Sequence, residues 1–243
     1  MGTAVSIDVR DAGVPAQALT ELVDWLHVVD ATFSTYKDDS AITRLGRGEA
    51  TIEQLDPLVG EVLSLCEEVR IASGGAFAVD CVPAPNGTHL DPSGLVKGWS
   101  IERGAGILRR WGAENVCINA GGDVALRGSR DAGVPWRVGI RHPDQAGLLA
   151  AVVQGVGPLA VATSACYERG PHIVDPRTGR PADGLVSVTV IGADLTFADA
   201  YATAVFVMGL DGLAWLESTT GYQGFAITAD AQTYSTSGFH HYC

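Results

Sequence analysis

The sequence predicts an α+β fold in which antiparallel-rich sheets pack against helices within a single compact domain. In the first 110 residues, apolar side chains recur at helical spacing, as they do at Leu58, Val62, Leu65 and Val69. Between residues 116 and 191, short extended runs are separated by Gly-containing turns, which favours antiparallel pairing over a regular βαβ winding. No internal repeat or low-complexity linker divides the chain. We therefore expect one domain over residues 1–243, with a flexible tail at residues 238–243.

Local signals place the individual elements. Asp56 is a capping residue followed by Pro57, which suits a first helical turn, and Gly74 ends the helix that begins there. Helices are expected at residues 19–29, 57–73, 98–110, 197–208 and 212–218. Strands are expected at residues 4–9, 116–118, 124–126, 136–140, 149–153, 159–162, 185–191 and 224–228.

Composition and charge limit the kinds of partner and the cellular compartment that we expect for this chain. The chain is 47% hydrophobic and 18% charged, which is typical of a globular protein. Its net charge is −12 and it has only two lysines, so we expect no nucleic-acid partner. No apolar run reaches the roughly 20 residues of a membrane span, so no membrane insertion is expected. The N-terminal residues lack the pattern of a signal peptide, and five cysteines without a CxxC motif suggest buried thiols in a reducing compartment. The sequence therefore favours a cytoplasmic protein.

Asp199 and Thr203 are the first candidate site. They lie four residues apart on a predicted helix and so share one face. A carboxylate and a hydroxyl form a hard-oxygen site of the kind that Mg²⁺ accepts. Alternatively, Asp199 stabilises the helix dipole and Thr203 bonds back to a carbonyl. The rest of the helix is apolar nearly all round, so Asp199 should be buried and needs a partner, for which a metal is one candidate.

Two further segments are suited to phosphate or ligand binding. Residues 90–98 (LDPSGLVKG) form a Gly-containing turn that opens a helix, and Lys97 on it can offer a positive charge to phosphate. The alternative for Lys97 is a solvated lysine at a helix start. Residues 119–123 (NAGGD) join two strands, either as a tight hairpin or as a place where a ligand approaches the backbone.

The loop over residues 162–180 is the richest in polar groups, and it follows a buried strand. His172 in this loop suits a general base or a phosphate ligand, or else a hydrogen-bonded structural histidine. Residues 33–40 (FSTYKDDS) suit a stacking platform for a heterocycle, or a turn between helices with Ser40 as N-cap. Residues 73–77 (SGGAF) either pass close to a ligand or cap the preceding helix.

Taken in order, these segments resemble the FAD:protein FMN transferase family, also called ApbE-like flavin transferases. The resemblance is carried by MGT, FSTYKDDSAI, SGGAF, LDPSGLVKG, NAGGD, WRVGI, VATS…YER…HIVDPRTGRP, SVTV and ADAYATAVFVMG. It implies an ApbE-like, T-fold-related domain. It also implies that FMN passes from FAD to a Thr or Ser hydroxyl in the flavinylation motif of an acceptor flavoprotein, that AMP leaves, and that Mg²⁺ assists.

The resemblance assigns roles to numbered residues. The implied metal ligands are Gly94, through its carbonyl, Asp199 and Thr203, and the implied catalytic residues are His172 and Lys97. The implied FAD-binding residues are Met1, Tyr36, Ala76, Phe77, Ala78, Lys97, Asn119, Gly121, Gly122, Asp123, Thr163, Ser164 and His172.

The chain departs from the family pattern in two places. Ala78 stands where the family commonly has Asp, with Asp80 two residues further on. Ala165 and Cys166 replace a Gly-containing pair. Two alternatives therefore stay open: an FAD pyrophosphatase that uses water as the acceptor, and a non-catalytic FAD-binding protein.

Overall fold

The computed structural model describes residues 3–80, 90–145, 147–166 and 173–243. The helices in these ranges are α1 (Ala16–Phe33), α2 (Ala41–Gly46), α3 (Pro57–Ala72), α4 (Ser93–Arg110), α5 (Leu195–Met208) and α6 (Leu210–Glu217), with 3₁₀ turns at Ile52–Gln54 and Phe239–Tyr242. The strands are β1 (Val5–Val9), β2 (Val116–Ala120), β3 (Asp123–Arg127), β4 (Trp136–Arg141), β5 (Leu149–Gly155), β6 (Leu159–Ala165), β7 (Val174–Asp175), β8 (Arg180–Pro181), β9 (Leu185–Gly192), β10 (Gln223–Thr228) and β11 (Thr233–Ser235).

A seven-stranded antiparallel sheet lies at the centre, in the order β1-β2-β3-β6-β9-β10-β11. Side chains alternate across it, as strand geometry requires. Ala125, Ala160 and Ala162 face a core shared with α1, α4 and α5, whereas Val124 and Val161 face the opposite side. The alanines let α5 lie close to the sheet. The mixed α+β architecture with antiparallel pairing confirms the predicted fold class.

The opposite face of the sheet is covered by the β4–β5 hairpin and by the C-terminal turn. Trp136, Ile140 and Val153 of the hairpin pack there with Phe239, which is 4% exposed and stacks on Phe225 at 5.1 Å. The residues expected to form a flexible tail thus form a packed turn, in which Phe239 buries its ring in the core.

Helix α4 begins earlier than the sequence suggested. It starts at Ser93 rather than near Gly98, and Asp91 Oδ1 accepts the Ser93 N–H at 3.0 Å. An Asp-Pro pair thus precedes α4 as it does α3, but Pro92 is the N-cap of α4, whereas Pro57 is the first residue of α3. This start places Gly94 and Lys97 inside the first turns of α4 instead of in a preceding loop.

Several short elements lay outside the predictions. Helix α2 follows its N-cap Ser40, whose side chain accepts the Thr43 N–H, as in the helix-turn alternative for that segment. The β7–β8 hairpin lies in what the sequence suggested was a loop, and β11 adds an edge strand. Each predicted strand is present, and most are slightly longer than expected.

The cysteines follow the prediction only in part. Cys66 is buried, and burial raises the pKa of its thiol to about 12. Cys117 and Cys166 are half-buried, but Cys243 is exposed, so the expectation of buried thiols is wrong there. Cys81 lies outside the described residues.

No helix among the described ranges has the length and apolar character needed to cross a membrane.

Candidate active site

Two helices and a strand turn bring three charged groups together. Lys97 comes from α4, Asp199 from α5, and Asp123 from the start of β3. The ammonium nitrogen of Lys97 lies 2.6 Å from Asp123 Oδ2 and 3.7 Å from Asp199 Oδ1. Both carboxylates are deeply buried, with 1% of Asp123 and 4% of Asp199 exposed.

Burial dominates the electrostatics of this cluster. It raises the pKa of the Asp199 carboxyl well above its ordinary value, the Lys97 ammonium lowers that pKa, and the Asp123 carboxylate raises it again. The Gly98 N–H also stabilises the ionised form by donating to Asp199 Oδ2 at 2.9 Å. Two carboxylates therefore share one lysine, which leaves them under-compensated and suited to an additional cation.

Oxygen atoms for that cation lie on the adjacent turn of α5. Thr203 Oγ1 lies 3.4 Å from the Asp199 carbonyl oxygen and 3.4 Å from Ser164 Oγ. A Cβ added to Gly94 would stand 3.4 Å from Thr203 Oγ1 and 3.2 Å from the Phe77 ring. Gly94, Phe77 and Ser164 thus meet at Thr203, one helical turn from Asp199.

The carbonyl of Gly94 retains capacity for a ligand. In a regular helix this oxygen would accept the N–H of the residue four positions later, Gly98. Here the Gly98 N–H donates to Asp199, and a carbonyl has a second lone pair in any case. A carboxylate, a hydroxyl and a carbonyl form the hard-oxygen set that Mg²⁺ prefers, so these residues fit a magnesium ion.

The turn between β2 and β3 forms the tight hairpin that was one interpretation of its sequence. Asn119 Oδ1 accepts the Gly122 N–H at 2.9 Å, and Gly121 and Gly122 have φ angles of 60° and 101°, which only glycine adopts easily. Asp123 follows directly, and its Oδ1 accepts the Thr163 N–H at 3.0 Å. This tight hairpin thus places the Asp123 side chain next to Lys97.

Other predicted residues lie apart from this cluster. Tyr36 is 80% exposed between α1 and α2, and Ala76 is buried in the core. Ala78 lines an open cleft of about 330 Å³ together with Asp80 and Arg177. Met1 and His172 lie outside the described residues, so their roles stay predictions.

The family model of the ApbE family matches residues 1–86 and 82–226, most of the chain. The chain belongs to the ApbE family. Among curated relatives of this ApbE-family chain, a Vibrio cholerae protein named FAD:protein FMN transferase is 36% identical over 140 residues, 54% of this chain and 42% of the relative. An Escherichia coli K12 protein of the same name is 26% identical over 97% of this chain and 84% of its own length.

Solved structures agree with this membership. The flavin transferase ApbE from Vibrio cholerae superimposes with a TM-score of 0.87 at 26% identity, covering 100% of this chain and 96% of its own. The ApbE protein from Thermotoga maritima shares the fold at a TM-score of 0.84 and 23% identity, covering 99% of this chain and 96% of its own.

Two residues that position the cluster of Lys97, Asp123 and Asp199 were not identified from the sequence. Glu102 on α4 accepts the Leu195 N–H at 2.9 Å, at the start of α5, and forms an ion pair with Arg127. Gly98 lets α5 cross α4 closely, because a Cβ there would overlap the Leu195 carbonyl and stand 2.8 Å from Asp199 Cβ. A glycine inside a helix was the available signal for Gly98. Glu102 had none, because its partners are distant in sequence.

Proposed function

We propose that this ApbE-family chain transfers FMN from FAD to a Thr or Ser hydroxyl of an acceptor protein, with release of AMP and with the assistance of Mg²⁺. The observation that carries the proposal is the cluster of oxygen groups formed by Gly94, Thr203 and the buried Asp199 beside Lys97. The curated relatives named FAD:protein FMN transferase support the same reaction.

The proposed metal ligands are Asp199, Thr203 and the carbonyl of Gly94. When bound, a divalent cation there would supply positive charge that stabilises the pyrophosphate oxygens during transfer. Lys97 adds a point charge beside the buried carboxylates, and 31% of its side chain is exposed. Gly121 and Gly122, which precede Asp123, are both exposed and carry no side chain, so this turn leaves backbone accessible to a ligand.

In the proposed reaction, the acceptor hydroxyl oxygen bonds to the phosphorus of the FMN portion, and the P–O bond to AMP breaks. We assign removal of the hydroxyl proton to His172 on its sequence motif alone. The other proposed FAD-binding residues are Met1, Tyr36, Ala76, Phe77, Ala78, Asn119, Gly121, Gly122, Asp123, Thr163 and Ser164.

A single assay tests this function. The protein is incubated with FAD, Mg²⁺ and an acceptor domain carrying a Thr/Ser flavinylation motif, with an acceptor whose motif hydroxyl is replaced by Ala as the control. We expect AMP by chromatography and a flavin-fluorescent acceptor band on a denaturing gel, absent from the control.

The alternatives give different results in the same assay. AMP release without a fluorescent band would contradict transfer to that acceptor and indicate pyrophosphate hydrolysis by water. Bound FAD without any AMP would indicate a binding protein instead. The replacement of the usual Asp by Ala78, beside an open cleft, makes this distinction specific to this chain.

A further inference from the structure

Lys97 faces the two buried carboxylates of the site as a shared counter-ion. Its nitrogen lies 2.6 Å from Asp123 Oδ2 and 3.7 Å from Asp199 Oδ1. Among the described residues, no other cation forms an ion pair with either carboxylate. Since an uncompensated buried charge is costly, Lys97 is the described cation that compensates both carboxylates in the protein without metal.

The carboxylate oxygens are not equivalent. Asp199 Oδ2 accepts the Gly98 N–H, and Asp123 Oδ1 accepts the Thr163 N–H. The oxygen of Asp199 that remains for a metal is Oδ1, which is also the oxygen nearest Lys97. A cation that binds Asp199 Oδ1 therefore meets the lysine charge at close range, where the two repel strongly.

We propose that Lys97 is a substitute for the divalent cation: it compensates both Asp199 and Asp123 when the metal is absent, and it moves away from Asp199 and keeps only Asp123 as its partner when the metal binds. This inference rests on the proposed metal site at Asp199. The exposed fraction of Lys97, 31% of its side chain, leaves it room to move. Lys97 and Mg²⁺ then compete for one carboxylate, so the lysine lowers the affinity of the free protein for Mg²⁺.

The experiment measures Mg²⁺ binding without FAD, by isothermal titration calorimetry and by the rise in Tm. In Lys97→Met we expect Mg²⁺ to bind at least about tenfold more tightly than in wild type. The repulsion between the Lys97 ammonium and Mg²⁺ is lost, and the negative charge of Asp123 is no longer compensated by the lysine. The Tm without metal should fall and the Tm rise on adding Mg²⁺ should grow. Lys97→Gln keeps a donor for Asp123 and should show the same direction if the methionine variant folds poorly.

The only other lysine gives a matched control. Lys37 pairs with Asp30 at 2.5 Å and 46% of its side chain is exposed, so Lys37→Met removes the same charge from a solvated site. Its Mg²⁺ affinity should match wild type. Unchanged or weaker Mg²⁺ binding in both Lys97 variants would overturn the proposed exchange, in which Mg²⁺ replaces Lys97 as the partner of Asp199.

Asp199→Asn, measured in parallel, separates the two proposals. If Mg²⁺ binding depends on Asp199 but is not tighter in the Lys97 variants, only the exchange is wrong. If neither wild type nor the Lys97 variants bind Mg²⁺ in a way that Asp199→Asn abolishes, the metal site and the exchange are both wrong.

Discussion

Asp199 is a buried carboxylate whose compensating groups come from the neighbouring helix. Lys97 lies 3.7 Å from its Oδ1, the Gly98 N–H donates to its Oδ2, and Asp123 competes for the same lysine. Burial raises the pKa of Asp199, which means that its ionised form is costly without further positive charge. A position that costs stability in this way is typical of functional sites.

Replacing Asp199 by Asn should abolish Mg²⁺-dependent AMP release, lowering its rate at least about 10²-fold, because loss of a direct ligand costs no less than loss of an outer-sphere partner. The metal-free protein should keep a Tm at or above that of wild type, since a neutral amide replaces a buried charge. Enzyme assays and thermal unfolding test this together. Asp24→Asn, at an exposed position of α1, is the control and should retain full activity. Retained activity in Asp199→Asn would show that Asp199 has only a structural role.

The crossing of α4 and α5 is the element-scale feature that builds the site. Gly98 allows the contact, and Glu102 ties the first residue of α5 to α4 while pairing with Arg127 at the end of β3. On the sheet side, Ala125, Ala160 and Ala162 keep α5 close to the strands. These contacts fix the position of α5 relative to α4, and therefore the distance between Asp199 and Lys97.

Gly98→Ala should lower the free energy of unfolding by about 1–3 kcal/mol, because its Cβ overlaps the Leu195 carbonyl and must push the helices apart. Mg²⁺ affinity should fall as well, since the Asp199 carboxylate moves with α5. Gly106→Ala is the matched control on the same helix, where a Cβ meets nothing within 4 Å. That change should raise the free energy of unfolding by up to about 1 kcal/mol. Denaturant titration of both variants decides, and equal effects would contradict a tight crossing.

At the scale of the whole molecule, the central sheet separates two cores with different tasks. One face carries α5 and the charged cluster, and the other is closed by the β4–β5 hairpin and the C-terminal turn. Phe239 joins the far core, and Gln223 Oε1 fixes the adjoining chain by accepting the Gly238 N–H at 3.0 Å. The C terminus therefore contributes to stability at a distance from the proposed chemistry.

Phe239→Ala should lower the free energy of unfolding by about 3 kcal/mol, because it leaves a cavity against Phe225. The specific activity of the folded fraction should not change, since the sheet lies between Phe239 and Asp199. Tyr234→Ala, at a position 45% exposed, should alter stability by less than about 1 kcal/mol. Loss of specific activity at full folding in Phe239→Ala would contradict this division between the faces.

Much of the architecture followed from local patterns. Apolar periodicity located the long helices and the sheet strands, and Asp56 with Pro57 marked the start of α3. A similar Asp-Pro pair, Asp91 and Pro92, precedes α4, which therefore begins at Ser93, earlier than the expected start near Gly98. Short elements such as β7 and β8 depend on pairing more than on pattern, which is why the sequence did not reveal them.

Within the candidate site, the residue types and the helical spacing of Asp199 and Thr203 can be read from the chain alone, because periodicity and hard-oxygen chemistry are local properties. Lys97 and Asp123 can be read there too, but as separate candidates. The folded structure is needed to show that one lysine serves both buried carboxylates, and that Gly98 and Glu102 hold the helices in place. The reason is physical: charge compensation and close packing depend on groups far apart in the chain, and their distances are set by the folded core.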